Sequence, residues 1–200
     1  FTRSGPELVR ELTRRGFDVF LDLKFHDIPN TVAQACRAAA DLGVWMVNLH
    51  ASGGRRMMEA ARERLAARPE PPLLIAVTVL TSLDRGDLDD LGFKCDVEAL
   101  VLSRARRALE AGCDGVVASG LELPAMRRAI DKRLLVVTPG IRPVENRPSD
   151  DQKRVVTVEQ AFADGANYIV VGRPIRDAKD PRAAAEAIQQ TIAQRFLPAS

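Results

Sequence analysis

Eleven residues, Val19-Phe20-Leu21-Asp22-Leu23-Lys24-Phe25-His26-Asp27-Ile28-Pro29, narrow the possibilities for this chain more than any others. The run begins with a period of two. Val19, Leu21 and Leu23 share one face, and Phe20, Asp22 and Lys24 the other. Apolar residues on both faces up to Asp22 predict a strand covered on both sides, as in a parallel sheet. Three charged side chains and a histidine then fall within six residues. Pro29 stops the strand, and Asn30 or Thr31 is placed to cap a helix that carries Val32, Cys36, Ala39 and Leu42 inward. Buried strand, then charge, then helix puts the charges at the C-terminal edge of a parallel strand, where α/β folds build their sites.

The same order recurs along the chain. Strands are expected to begin near residues 19, 45, 73, 115, 134 and 168. Helical periodicity follows each of them, and a helix over 6–15 precedes the first. Residues 84–93 read as polar loop or short helix, and 141–153, with Pro143, Pro148, Asp150 and Asp151, as a loop over a site. Repeated βα units without hairpins mean a parallel sheet. A doubly wound sheet is one outcome. The other is a (β/α)8 TIM barrel of which only strands 3–8 are present. Polar or glycine residues at every strand end favour the barrel, because an open sheet concentrates its site at one crevice.

Two hundred residues, 46% of them apolar, suit one domain spanning 1–200. No apolar stretch is long enough to cross a bilayer as a helix. A net charge of +2, spread along the chain, and 4% aromatic content give no footprint for nucleic acid. Cys36, Cys95 and Cys113 form no zinc or redox spacing, so a reducing cytoplasm is expected.

The strand ends carry the chemistry. Asp22 and Lys24, two apart on a strand, point the same way, and Asp27 stands just past the edge. An acid–base–acid set holds an ammonium charged beside a substrate. Such a lysine can deliver a proton to carbon. A neighbouring carboxylate can press on a substrate carboxylate, destabilising it relative to a product that has lost CO2. A structural salt bridge, worth about 0–1 kcal/mol at a surface, is the alternative. Gly172-Arg173 ends the last strand, where barrels commonly frame a phosphate. Arg173 can grip two phosphate oxygens as a fork, or stand as a surface arginine after a turn glycine. Gln152 closes over a ligand or is solvated. Thr81 and Ser82 bond a polar ring edge or cap the next turn. Ile28 and Pro139 offer apolar walls to a planar ring. Arg142 and Arg147 read as solvated loop charges. His26 and His50 lack a convergent carboxylate at ligand spacing, so they read as loop supports rather than a metal pair.

With these residues noted, the chain resembles the orotidine 5'-phosphate decarboxylase family. Asp22-Leu23-Lys24-Phe25-His26-Asp27-Ile28-Pro29-Asn30-Thr31-Val32 matches the signature of bacterial members. Val77-Thr78-Val79-Leu80-Thr81-Ser82, Val137-Thr138-Pro139-Gly140-Ile141-Arg142, Asp151-Gln152-Lys153-Arg154 and Val170-Val171-Gly172-Arg173-Pro174-Ile175 follow in order. The Asp-x-Lys-x-x-Asp core alone is shared with sugar-phosphate decarboxylases such as the 3-keto-L-gulonate 6-phosphate enzyme. The flanking residues and Gln152 favour the nucleotide family.

The resemblance implies a cytoplasmic homodimeric barrel that converts orotidine 5'-monophosphate to UMP and CO2 in pyrimidine biosynthesis, without metal or cofactor. It implies Lys24 as proton donor to C6 and Asp22 as the carboxylate facing the departing CO2. Asp27 would be lent across the dimer interface near the ribose, with Thr31 beside it. Thr81 would bond the pyrimidine edge, and Gln152, Gly172 and Arg173 the phosphate. Ile28, Pro139 and Arg142 complete the candidate substrate contacts. Family members carry two further strands before the point matching Phe1, one with an aspartate and one with a lysine of the charged array. Roughly 30 additional N-terminal residues are therefore expected in the natural protein. The rival readings are a metal-dependent sugar-phosphate decarboxylase and an inactive phosphate-ligand binding protein.

Overall fold

The computed structural model describes residues 1–142 and 154–196. In chain order its elements are α1 (Gly5–Arg14), β1 (Phe20–Phe25), α2 (Pro29–Ala40), β2 (Met46–His50), α3 (Arg55–Ala66), β3 (Leu73–Val77), α4 (Arg85–Asp90) and α5 (Val97–Glu110). Then follow β4 (Gly115–Val117), α6 (Leu123–Ala129), β5 (Leu135–Thr138), α7 (Val158–Ala163), β6 (Tyr168–Ile169), α8 (Arg173–Arg176) and α9 (Pro181–Phe196). Strands are neighbours in chain order, β1-β2-β3-β4-β5-β6, as a βα repeat requires. The chain forms two compact units, Phe1–Thr78 with Ser103–Val116, and Val79–Leu102 with Val117–Ser200.

In the first unit β1, β2 and β3 pair in parallel. Helices α2 and α3 pack on each other; α2 buries Val32, Cys36 and Ala39, and α3 buries Met57, Met58, Ala61 and Leu65. β2 and β3 are buried along nearly their whole length. β1 is not. Only Leu21 is buried, and Asp22 is exposed. The expectation of a strand covered on both faces fails: even Phe20, in regular register with Met46, is only half-buried, and β1 then leaves the ladder at its charged end. Leu21 pairs with Val47 and Phe25 with Leu49, so four steps along β1 face two along β2. This is a bulge, which bends a strand and re-aims its side chains.

Helix α2 also departs from expectation. It begins at Pro29, with Ile28 as its N-cap and no side-chain cap. Asn30 and Thr31 are first-turn residues. Proline lacks the N–H that a helix start leaves unpaired, so it needs no capping partner there.

In the second unit β5 and β6 pair in parallel, Val137 with Tyr168 and Thr138 with Ile169. Helix α7 packs on α9. Arg127 bridges three segments, donating to the carbonyls of Gly165 and Leu134 and to Asn167 Oδ1. β3 stops at Val77 and β6 at Ile169.

Candidate active site

Lys24 is the one non-glycine residue with a positive φ among the described residues, at 52°. The left-handed region costs a residue with a Cβ about 1–2 kcal/mol, so neighbours must hold it there. They do. The Lys24 backbone N–H donates to Asn48 Oδ1 at 2.8 Å. Lys24 Nζ donates to Asp22 Oδ1 at 2.6 Å, and Asn48 Nδ2 donates to the same oxygen at 2.6 Å. Asn48 is fully buried, in the middle of β2. The side chains of Lys24 and Asp22 stay 37% and 41% exposed. The two-residue spacing thus does bring them together, but through a bulge rather than along a straight strand. A cation and an anion held on a buried amide, with their outer sides open, can meet a charged ligand.

Asn48 was not singled out from the sequence. Its signal is a lone amide between Val47 and Leu49 in an apolar strand, since a buried polar group must find partners.

His26 and His50 sit nearby, ring centroids 5.4 Å apart and tilted by 44°. Burial, then the charges of His26, Lys24 and Arg104, hold the His50 imidazole below its ordinary pKa, against the pull of Asp22. Arg104 Nη1 donates to the Thr78 carbonyl at 2.6 Å. Gly53 lies against Met57 and His26 so closely that a Cβ there would collide with the Met57 thioether. Asp27 turns back on its own helix start, accepting the Ile28 N–H at 2.6 Å. It makes no hydrogen bond or ion pair with Lys24 among the described contacts. Asp27, Ile28 and Thr31 form an exposed stretch, with Ile28 67% exposed.

In the second unit Thr81 is buried at the end of a segment fixed by Arg154. Arg154 Nη2 donates to the carbonyls of Val79 and Leu80 at 3.2 and 2.9 Å, and its Nη1 to Glu122 Oε1 at 2.6 Å. Both partners are buried. Burial pushes the Glu122 carboxyl up, and the Arg154 charge opposes the shift. Glu122 Oε2, Arg154 Nε and Thr138 Oγ1 are buried with no hydrogen-bond partner. Pro139 is half-buried beside Gly140, whose φ is 77°. Arg142 Nη1 donates to the Ile141 carbonyl at 2.8 Å. Gly172 is exposed, with nothing within 4 Å of the place a Cβ would take. It opens onto α8, in which Arg173 is the first residue. Gln152 and Arg147 lie outside the described residues. Among the described residues no group of three His, Cys, Asp or Glu side chains converges as a metal site, and no helix is long and apolar enough to cross a membrane.

Residues 1–188 match the family described as orotidine 5'-phosphate decarboxylase / HUMPS. The chain is 57% identical over 192 residues to an orotidine 5'-phosphate decarboxylase of Nitrosococcus oceani, covering 96% of this chain and 82% of that protein. It is 60% identical over 190 residues to the one of Methylococcus capsulatus, covering 94% and 76%. Among solved structures, an orotidine 5'-phosphate decarboxylase from Lactobacillus acidophilus matches with a TM-score of 0.80 at 40% identity, over 93% of this chain and 80% of that one. The parallel βα repeat and these neighbours agree on the α/β class and the TIM-barrel type.

Proposed function

The chain belongs to the orotidine 5'-phosphate decarboxylase / HUMPS family, and from that premise we infer how its residues act. It is a decarboxylase, converting orotidine 5'-monophosphate to UMP and CO2 in pyrimidine nucleotide synthesis. The sugar-phosphate and inactive-protein readings find no support among the relatives.

We propose that Lys24 and Asp22 carry the reaction. The bond from C6 of the pyrimidine to its carboxylate breaks, CO2 leaves, and the electron pair stays on C6. The Lys24 ammonium stabilises that charge and donates its proton to C6, then regains one from solvent. Asp22, held beside Lys24, presses like charge on the substrate carboxylate and relaxes once CO2 has gone. Phosphate binding by Gly172, Arg173 and Gln152 supplies remote binding energy that positions the base. The open backbone at Gly172 suits close approach of an anion. Thr81 bonds the pyrimidine edge, and Ile28, Pro139 and Arg142 complete the substrate contacts. Asp27 and Thr31 are assigned to the ribose of a second copy in a homodimer. The exposure of Ile28 between them supports that role. Cys36, Cys95 and Cys113 are all free thiols, which supports a cytoplasmic setting.

One observation carries this reading: Lys24 Nζ stands 2.6 Å from Asp22, with both groups open to a ligand. Turnover of orotidine 5'-monophosphate by the natural full-length protein, with and without a metal chelator, tests it. Equal rates are expected. A rate that depends on metal would remove the cofactor-free mechanism.

A further inference from the structure

We propose that Asn48 is a positioning residue for decarboxylation, a single buried amide that sets both the backbone of Lys24 and the carboxylate of Asp22. The inference rests on the roles assigned to those two residues above.

A primary amide offers one acceptor oxygen and one donor nitrogen on a rigid plane. Asn48 spends them on different partners. Its oxygen takes the Lys24 N–H at 2.8 Å, and its nitrogen gives to Asp22 Oδ1 at 2.6 Å. Lys24 Nζ reaches the same Oδ1, so three groups close a ring around one carboxylate oxygen, and Oδ2 takes neither donor. The ring explains two oddities together. Lys24 adopts φ 52° because its N–H is drawn to a side chain instead of to the backbone ladder. β1 bulges between Leu21 and Phe25 because that N–H leaves the regular register. Asn48 itself has no freedom to drift. It is fully buried, and its backbone is locked in register with Ile75 of β3. A rigid support under a half-exposed ammonium is what a proton donor to carbon requires, since small misplacements are costly in rate.

No near-isostere meets both functions of the amide. In Asn48→Asp an acceptor for the Lys24 N–H remains, but the donor to Asp22 is gone and a second carboxylate stands beside it. The groups already facing Asp22 are Lys24 from its own strand and His50 from β2, with His26 and Arg104 around His50. In Asn48→Val both hydrogen bonds disappear.

The test uses the natural full-length protein. Wild type, Asn48→Asp and Asn48→Val are compared for kcat, KM, UMP affinity, the pH dependence of kcat and thermal unfolding. The expected result is a hundredfold or larger loss of kcat in Asn48→Asp, with KM and UMP affinity within about threefold and the acid limb of kcat moved to higher pH. Parallel loss of kcat and UMP affinity, or a kcat within a few-fold of wild type with an unmoved pH profile, overturns the proposal. If Asn48→Val fails to fold, Asn48→Asp still decides. A wild-type protein with no turnover would instead remove the functional reading beneath it.

Discussion

Two carboxylate–cation pairs in this molecule have the same N–O distance and opposite surroundings. Lys24 and Asp22 meet at 2.6 Å with more than a third of each side chain exposed. Arg154 and Glu122 meet at 2.6 Å with less than a tenth exposed. Water screens the first pair, so its net contribution to folding is about 0–1 kcal/mol. The second cannot be opened without stranding a charge in the interior, at a cost of about 3–5 kcal/mol. Distance alone therefore does not distinguish the pair proposed to act on the substrate from a structural one. What surrounds the pair does: an open outer side and a strained lysine in one case, backbone carbonyls and a closed interior in the other.

The contrast can be tested by substitution. Lys24→Ala should lower decarboxylation by at least about a thousandfold, some 4 kcal/mol of barrier, with denaturant stability nearly unchanged. Steady-state rates and urea unfolding on the same sample check it. A large fall in stability would show that this pair is structural too. Arg154→Met should cost about 3–5 kcal/mol of unfolding free energy, because Glu122 and the carbonyls of Val79 and Leu80 all lose their partner. A urea midpoint like that of wild type would contradict the assignment.

Arg173→Met should weaken UMP binding by about 1.5–3 kcal/mol while leaving the affinity for uridine unchanged. Calorimetric titration with both ligands separates phosphate recognition from a general loss of binding. Gly120→Ala places a Cβ into Val156, on the segment that follows Arg154, and should cost about 1–3 kcal/mol of stability by overpacking. Thermal unfolding measures it.

His50 gives the smallest effect. Its folded pKa lies below the ordinary 6.5, chiefly through burial, so on acidification the unfolded chain takes up the proton first. The stability this neutral imidazole contributes is present above that ordinary value and is lost as pH falls through it toward the folded pKa. Unfolding free energy of wild type should therefore drop more steeply below about pH 6.5 than that of His50→Gln. Parallel slopes would show that His50 carries no such linkage.

The alternation of strands and helices was readable because apolar runs and their glycine or proline stops are local signals. So was the meeting of Asp22 with Lys24, which needs only two residues of separation. The parts that escaped are non-local. The bulge in β1 and the left-handed Lys24 depend on a hydrogen bond to Asn48, 24 residues away. The support beneath Thr81 depends on Arg154, more than seventy residues along the chain from the carbonyls it holds. Local propensity could not expose these pairings. A polar residue inside an apolar strand could, because it demands a partner. The helix start was misjudged for a different reason. Asn30 and Thr31 are good caps, but the proline before them had already set the first helical turn.

Loss of the orotate chromophore on mixing orotidine 5'-monophosphate with the natural full-length protein, beside its Lys24→Ala variant, is the decisive assay. The wild type should convert substrate to equal amounts of UMP and CO2, while the folded variant leaves it essentially untouched. No chromophore loss in the wild type, or near-normal loss in the variant, would contradict an ammonium at Lys24 as the group that completes the reaction.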